Sequence, residues 1–129
     1  MQDWPDHEAV LVAFLGADLA GPVVTTETGN DLQDHLPLVK VERVGGGDDG
    51  FRLDRALVDV DVYAASRADA SALARQVRTA LLSRLRGSVQ PTAVVGRVAT
   101  VSAPAWRPYE NTGLRRVGAT YEIYLHPVS

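Results

Sequence analysis

The 129 residues contain no cysteine and only one lysine, Lys40. Without cysteine there is no disulfide framework, no thiolate nucleophile and no cysteine-bound zinc, which suits a reducing compartment. No apolar run approaches the roughly 20 residues that span a bilayer. The opening MQDWPDHEAVLVAFLG is acidic where a secretory signal would be basic, so a soluble, intracellularly made protein is expected. Chemistry-bearing motifs are also missing. The chain has no Gly-x-Gly-x-x-Gly, no Gly-Lys-Ser/Thr, no His-x-x-x-His and no Gly-x-Ser-x-Gly. The scarcity of lysine beside abundant Ala, Val, Arg and Gly reflects a GC-rich coding bias and carries no functional message.

The length suits one domain, residues 1–129, with a core that needs no staples. The net charge of −3 is unevenly spread. Residues 1–39 hold seven acids and no Lys or Arg, whereas residues 40–129 hold nine acids and thirteen basic residues, so the segments carry −7 and +4. Such asymmetry suits either an interaction surface or simply a solvated acidic helix and loop.

Hydrophobic spacing predicts a first helix from about Pro5 to Leu19. Asp3 would cap it, Pro5 would sit in its first turn, and Val10, Leu11, Phe14, Leu15 and Leu19 would face the core. Strands are predicted over 23–26, 38–44, 52–63, 94–101 and 114–126, and the polar segment ETGNDLQDHLP reads as a loop of about ten residues. A second helix starts at Ser66-Arg-Ala-Asp69, a capping-box pattern, and ends at Gly87. APAWRPYENTG reads as a proline-bearing edge or loop. Strand runs separated by single helices predict an α+β fold: a mostly antiparallel β-sheet with two α-helices packed on one face.

The stretch VGGGDDGF, residues 44–51, poses a sharper question, because glycines cradle phosphates as readily as they turn hairpins. A phosphate loop needs a helix N-terminus after it, but here strand patterns flank both sides. Asp48 and Asp49 would also repel a phosphate. The stretch therefore reads as a mobile hairpin loop, and a long tip of this kind is a candidate contact element. Asp48, Asp49, Arg52 and Arg55 belong to that candidate surface.

Asp59 and Asp61 share one strand face and could hold a metal or act as acid and base. The simpler reading is a solvated face, with both acids paired to Arg52, Arg55 or Arg116 across strands. His7, His35 and His126 are scattered and read as incidental surface residues. Arg67, Arg75, Arg78, Arg84 and Arg86 make one side of the second helix basic. With an acidic pI of about 5.5 and no interleaved aromatics, a solvated face or a protein contact is favoured over nucleic acid. Trp106, Arg107 and Tyr109 form an aromatic–Arg–Pro cluster suited equally to anchoring an interface and to capping the core.

The ordered segments HEAVLVAFLGADL, LPLVKVERVGGGDDGFRLDRALVDVDVYA, ALARQVRTALL and VSAPAWRPYENTGLRRVGATYEIYLHP resemble the tail terminator (tail completion) proteins of long-tailed bacteriophages, particularly those infecting actinobacteria. The resemblance spans nearly the whole chain. It implies a structural virion protein with no catalytic residues and no cofactor. It implies a six-membered ring of copies that ends tail-tube polymerisation, located at the head-proximal end of the tail and assembled in the host bacterial cytoplasm. The implied partners are further copies of the chain, the tail tube protein and a head completion or stopper protein. DNA would pass through without specific binding, and no membrane is involved. Complementary charged patches would suit such a ring, with Arg75, Arg78 and Arg86 meeting acids of the next subunit. The competing readings are another head–tail connector, stopper or minor tail protein; a small metal-dependent hydrolase using Asp59 and Asp61; and a small-molecule-binding regulatory domain, for which the sequence offers no pocket.

Overall fold

A computed structural model describes residues 3–108 and 113–128. The first helix, α1 (His7–Asp18), starts one turn later than Asp3 would set it. Asp6 is its cap: the Asp6 carboxylate accepts from the Ala9 amide at 3.1 Å. Pro5 therefore precedes the helix. Val10, Leu11, Leu15 and Leu19 are buried as the spacing requires, and Phe14 is half-buried.

The second helix, α2 (Arg67–Thr79), opens as its sequence predicts, with Ser66 Oγ accepting from the Asp69 amide at 3.1 Å. Its last residues, Ala80–Leu85, widen to i→i+5 bonding, with the Arg86 amide donating to the Leu81 carbonyl at 3.2 Å. Gly87, at φ 77°, ends the run.

Five strands form one mixed sheet: β1 (Val23–Thr25), β2 (Leu38–Asp48), β3 (Asp54–Ala64), β4 (Val94–Trp106) and β5 (Arg115–His126), in the order β1-β2-β3-β5-β4. Only β1–β2 is parallel. Alternation decides the faces. Ala56, Val58, Val60 and Val62 of β3 sit opposite Ile123, Tyr121, Ala119 and Val117 of β5, all buried. Both helices pack on that face, because one contiguous core joins these side chains to Leu11 and Leu15 of α1 and to Leu73 and Val77 of α2. The α+β expectation holds.

Other boundaries also differ from the sequence reading. The polar segment before β2 is not all loop: Leu32–His35 forms a 3₁₀ turn. Leu32 is buried there with Leu38, Tyr63 and Leu114, a small second cluster apart from the main core. Strand β2 runs on through Gly45–Gly47 to Asp48. Strand β4 continues through Pro104 to Trp106, which a proline permits because β4 is a sheet edge.

Candidate interaction interface

Three of the four glycines of the VGGGDDGF stretch belong to the paired arm of the hairpin. After a bulge between Arg43 and Gly45, Gly45, Gly46 and Gly47 oppose Leu57, Ala56 and Arg55. Gly46 has φ 116°, and a Cβ there would collide with the Arg55 carbonyl. The open loop shrinks to residues 49–53. Asp49 Oδ1 accepts from the amides of Phe51 and Arg52 at 2.9 Å and of Leu53 at 3.0 Å. Those bonds, that to Phe51 first, hold the Asp49 carboxyl below its ordinary range. Asp48 Oδ1 accepts from the Gly50 amide at 2.8 Å. The two acids serve the turn, and the amides a phosphate would need already have partners.

Phe51, which the sequence reading passed over, stands at this tip 79% exposed. The signal for it was a large aromatic inside a polar turn. Behind it, Arg52 reaches the Pro127 carbonyl and the His126 ring, each at 3.0 Å. Arg55 pairs with Glu122 at 3.1 Å. Neither arginine meets Asp59 or Asp61.

The arginine nearest those two acids is Arg107, and Arg116, the cross-strand candidate, also draws the Asp61 carboxyl downward. Arg107 Nη1 lies 3.3 Å from Asp61 Oδ1 and 4.0 Å from Asp59 Oδ2. Thr120 Oγ1 donates to Asp59. Burial pushes the Asp61 carboxyl upward, opposed chiefly by Arg107. Among the described residues no group of three or more acids and histidines is placed to hold a metal ion. The arrangement is a half-buried strand face crossed by one guanidinium, not the solvated face the alternation suggested.

The basic side of α2 divides in two. Arg84 is taken up by Asp18 of α1 through two bonds of 2.8 Å. Arg67, Arg75 and Arg78 line a groove of about 360 Å³ against Pro104 and Trp106 of the β4 edge. The Arg67 guanidinium sits 5.0 Å from the Trp106 ring centre and that of Arg115 sits 6.0 Å away. Trp106 is half-buried against the core, so it both caps the core and walls the groove. Arg86 is exposed past the helix end and does not line the groove. Tyr109 lies outside the described residues.

His7 is not a surface histidine. It is 2% exposed, and its Nε2 donates to the Ile123 carbonyl at 3.1 Å. Its Nδ1 faces Asp54 at 3.6 Å. Arg43 grips Asp54 through bonds of 2.8 and 2.9 Å and holds that carboxyl below its ordinary range. Because Arg43 already balances Asp54, desolvation dominates and pushes the imidazole below the usual histidine value. Glu8 accepts from the Arg43 amide at 2.9 Å. Together these contacts fasten α1 to the sheet.

Several acids of the first third are thus engaged within the chain: Asp6 caps α1, Glu8 takes the Arg43 backbone amide, Asp18 pairs with Arg84, and Asp31 pairs with His35 at 2.9 Å. No helix among the described residues is long and apolar enough to cross a membrane.

Comparison with known proteins connects these surfaces to a role. A family model described as phage tail termination protein matches residues 3–126. Among solved structures, the chain is similar to one from the virion of a native gene transfer agent particle, with a TM-score of 0.66 and 18% identity over 93% of this chain and 94% of that one. Identity that low shows a shared fold. No curated protein sequence matches. The chain belongs to the phage tail termination protein family, which places it in the virion tail in a structural role.

Proposed function

We propose, with membership of the tail termination family as premise, that six copies of this chain close into a ring on the head-proximal end of the tail tube. The ring ends tube polymerisation and offers the surface that a head completion or stopper protein meets. DNA passes through its centre without specific binding, and the chain catalyses no reaction. The observation that carries this reading is the family match across nearly the whole chain, residues 3–126.

Physical features support it. A ring needs a heterologous contact, in which one patch meets a different patch on the next copy. The two sheet edges are unlike: β1 has three residues and runs parallel to its neighbour, whereas β4 has thirteen and carries the basic groove. Glu27 and Asp34 are exposed in the segment between β1 and β2 and supply the opposite sign, so Arg75 and Arg78 meet acids of the neighbouring subunit. The acids at 59 and 61 are engaged by Arg107, which favours a surface role for that face over acid–base chemistry.

Light scattering behind a gel-filtration column tests the ring. The expected mass is about six times the 13.9 kDa chain. A monomer at every concentration, with tail tubes absent or present, contradicts it.

A further inference from the structure

The β2–β3 ribbon ends in a knob at one end and a socket at the other. The knob is Phe51. Its turn is held by the Asp48 and Asp49 bonds and its stem by the close approach of Gly46 to Arg55, so the exposed ring is presented on a fixed support. The socket is a mostly apolar cavity of about 370 Å³ just before β2 and just after β3, walled by Pro22, Pro37, Ala65 and Leu73. Strands of eleven residues at about 3.3 Å per residue put the two roughly 35 Å apart, so no chain can fill its own socket.

We propose that Phe51 of one copy seats in this socket of the next copy. The occupant is a second copy for three reasons. A phenyl ring fits a cavity of that size, and the cavity walls are mostly apolar, with Asp69 and Gln76 at their polar side. A single charge pair also matches across them, while Asp48 and Asp49 beside the knob are held by the turn's own amides. Arg52 follows Phe51, and its partners, the Pro127 carbonyl and the His126 ring, bring no negative charge. Asp69 lines the socket and has no ion-pair partner among the described residues. Seating the ring brings Arg52 towards Asp69. A knob and socket at opposite ends of one ribbon make a head-to-tail contact, the kind that closes rings. The inference rests on the ring reading and deepens it by adding an apolar contact to the charged one.

The cysteine-free chain makes the test clean. Gly47→Cys chains, which keep Phe51 and have open space at that position, are mixed with Ala65→Cys chains and treated with a short bismaleimide, with exposed Ala13→Cys replacing Ala65→Cys as the control. The expected result is a covalent dimer only in the Gly47→Cys/Ala65→Cys mixture, and a ladder from the doubly substituted chain. Phe51→Ala is expected to raise the half-assembly concentration by about tenfold or more, since burying a phenyl ring contributes on that order; Phe51→Leu should recover part of it. No mixed dimer, or equal yield from the control, overturns the inference. If the wild type still assembles to a hexamer in that case, the ring stands on another contact. If the wild type also remains monomeric with tail tubes present, the ring reading falls with it.

Discussion

Arg107 reaches Asp61 by lying directly across Gly118. A Cβ at Gly118 would run into Asp61 Oδ1, and would stand 2.6 Å from Arg107 Cδ and from Nη1. Gly118 pairs with Asp61 on one side and with Ala105 on the other. The missing side chain is the channel through which an arginine from the end of β4 crosses β5 to an acid on β3. Gly118→Val is therefore expected to expel Arg107 and cost about 1–3 kcal/mol, the range for leaving a partly buried charge unpaired. Urea unfolding measures it.

The same pair sets a pH dependence. Burial raises Asp61 in the folded protein, so the folded state binds the extra proton. Its contribution is full below the ordinary carboxylate value of 3.8 and is lost as pH rises through the raised folded value. Arg107 is the largest opposing influence, so Arg107→Gln should push Asp61 higher and carry that loss further above the ordinary carboxylate value. Asp61→Asn in the Arg107→Gln background should remove the extra slope, as read from unfolding free energies across pH.

His7 acts in the opposite direction. Its folded value lies below the ordinary 6.5, so the unfolded chain takes up the proton first. Stability is expected to fall as pH drops below about 6.5 and to keep falling through the lowered folded value. His7→Gln can keep a donor for the Ile123 carbonyl while losing the titration, so that segment of the profile should flatten. Denaturant midpoints at pH 5 and 7 for both proteins make the comparison.

The glycines of the hairpin arm are not equivalent. Gly46→Ala combines a positive φ with a collision against the Arg55 carbonyl and should cost at least about 2 kcal/mol. Gly47→Ala meets nothing within 4 Å and should change stability by less than about 1 kcal/mol. Thermal unfolding of the two variants separates a built stem from a slack loop.

Charge reversal in the groove tests the proposed subunit contact. Arg75→Glu with Arg78→Glu should weaken the hexamer and invert or erase its salt response, because exposed attraction is screened by salt. Sedimentation across ionic strength reads the change. An unaltered response would place the contact elsewhere.

Much of this fold is written locally. Ser66, the Leu73–Val77–Leu81–Leu85 spacing and Gly87 define α2 without reference to anything distant, and the alternating valines of β3 fix its face. What the sequence concealed depends on residues brought together from afar. His7 is buried because β5 and Asp54 cover the start of α1. Leu32 looks isolated in a polar run until Leu38, Tyr63 and Leu114 gather round it. Pairing rules found Arg116, which acts on Asp61 from the neighbouring strand, but not Arg107, because bulges in β4 set its position. Of the candidate contact residues, Asp48, Asp49, Arg52 and Arg55 proved to have internal partners. Arg75, Arg78 and Trp106 share a groove that only the β4 edge completes.

The most direct measurement is tail-tube length in the electron microscope, with tube subunits polymerising in the presence or absence of this chain. The expected result is arrested tubes with a ring of extra density at one end, their number rising with the amount of chain added. Tubes that keep growing at an unchanged rate, with both ends bare, would contradict the account.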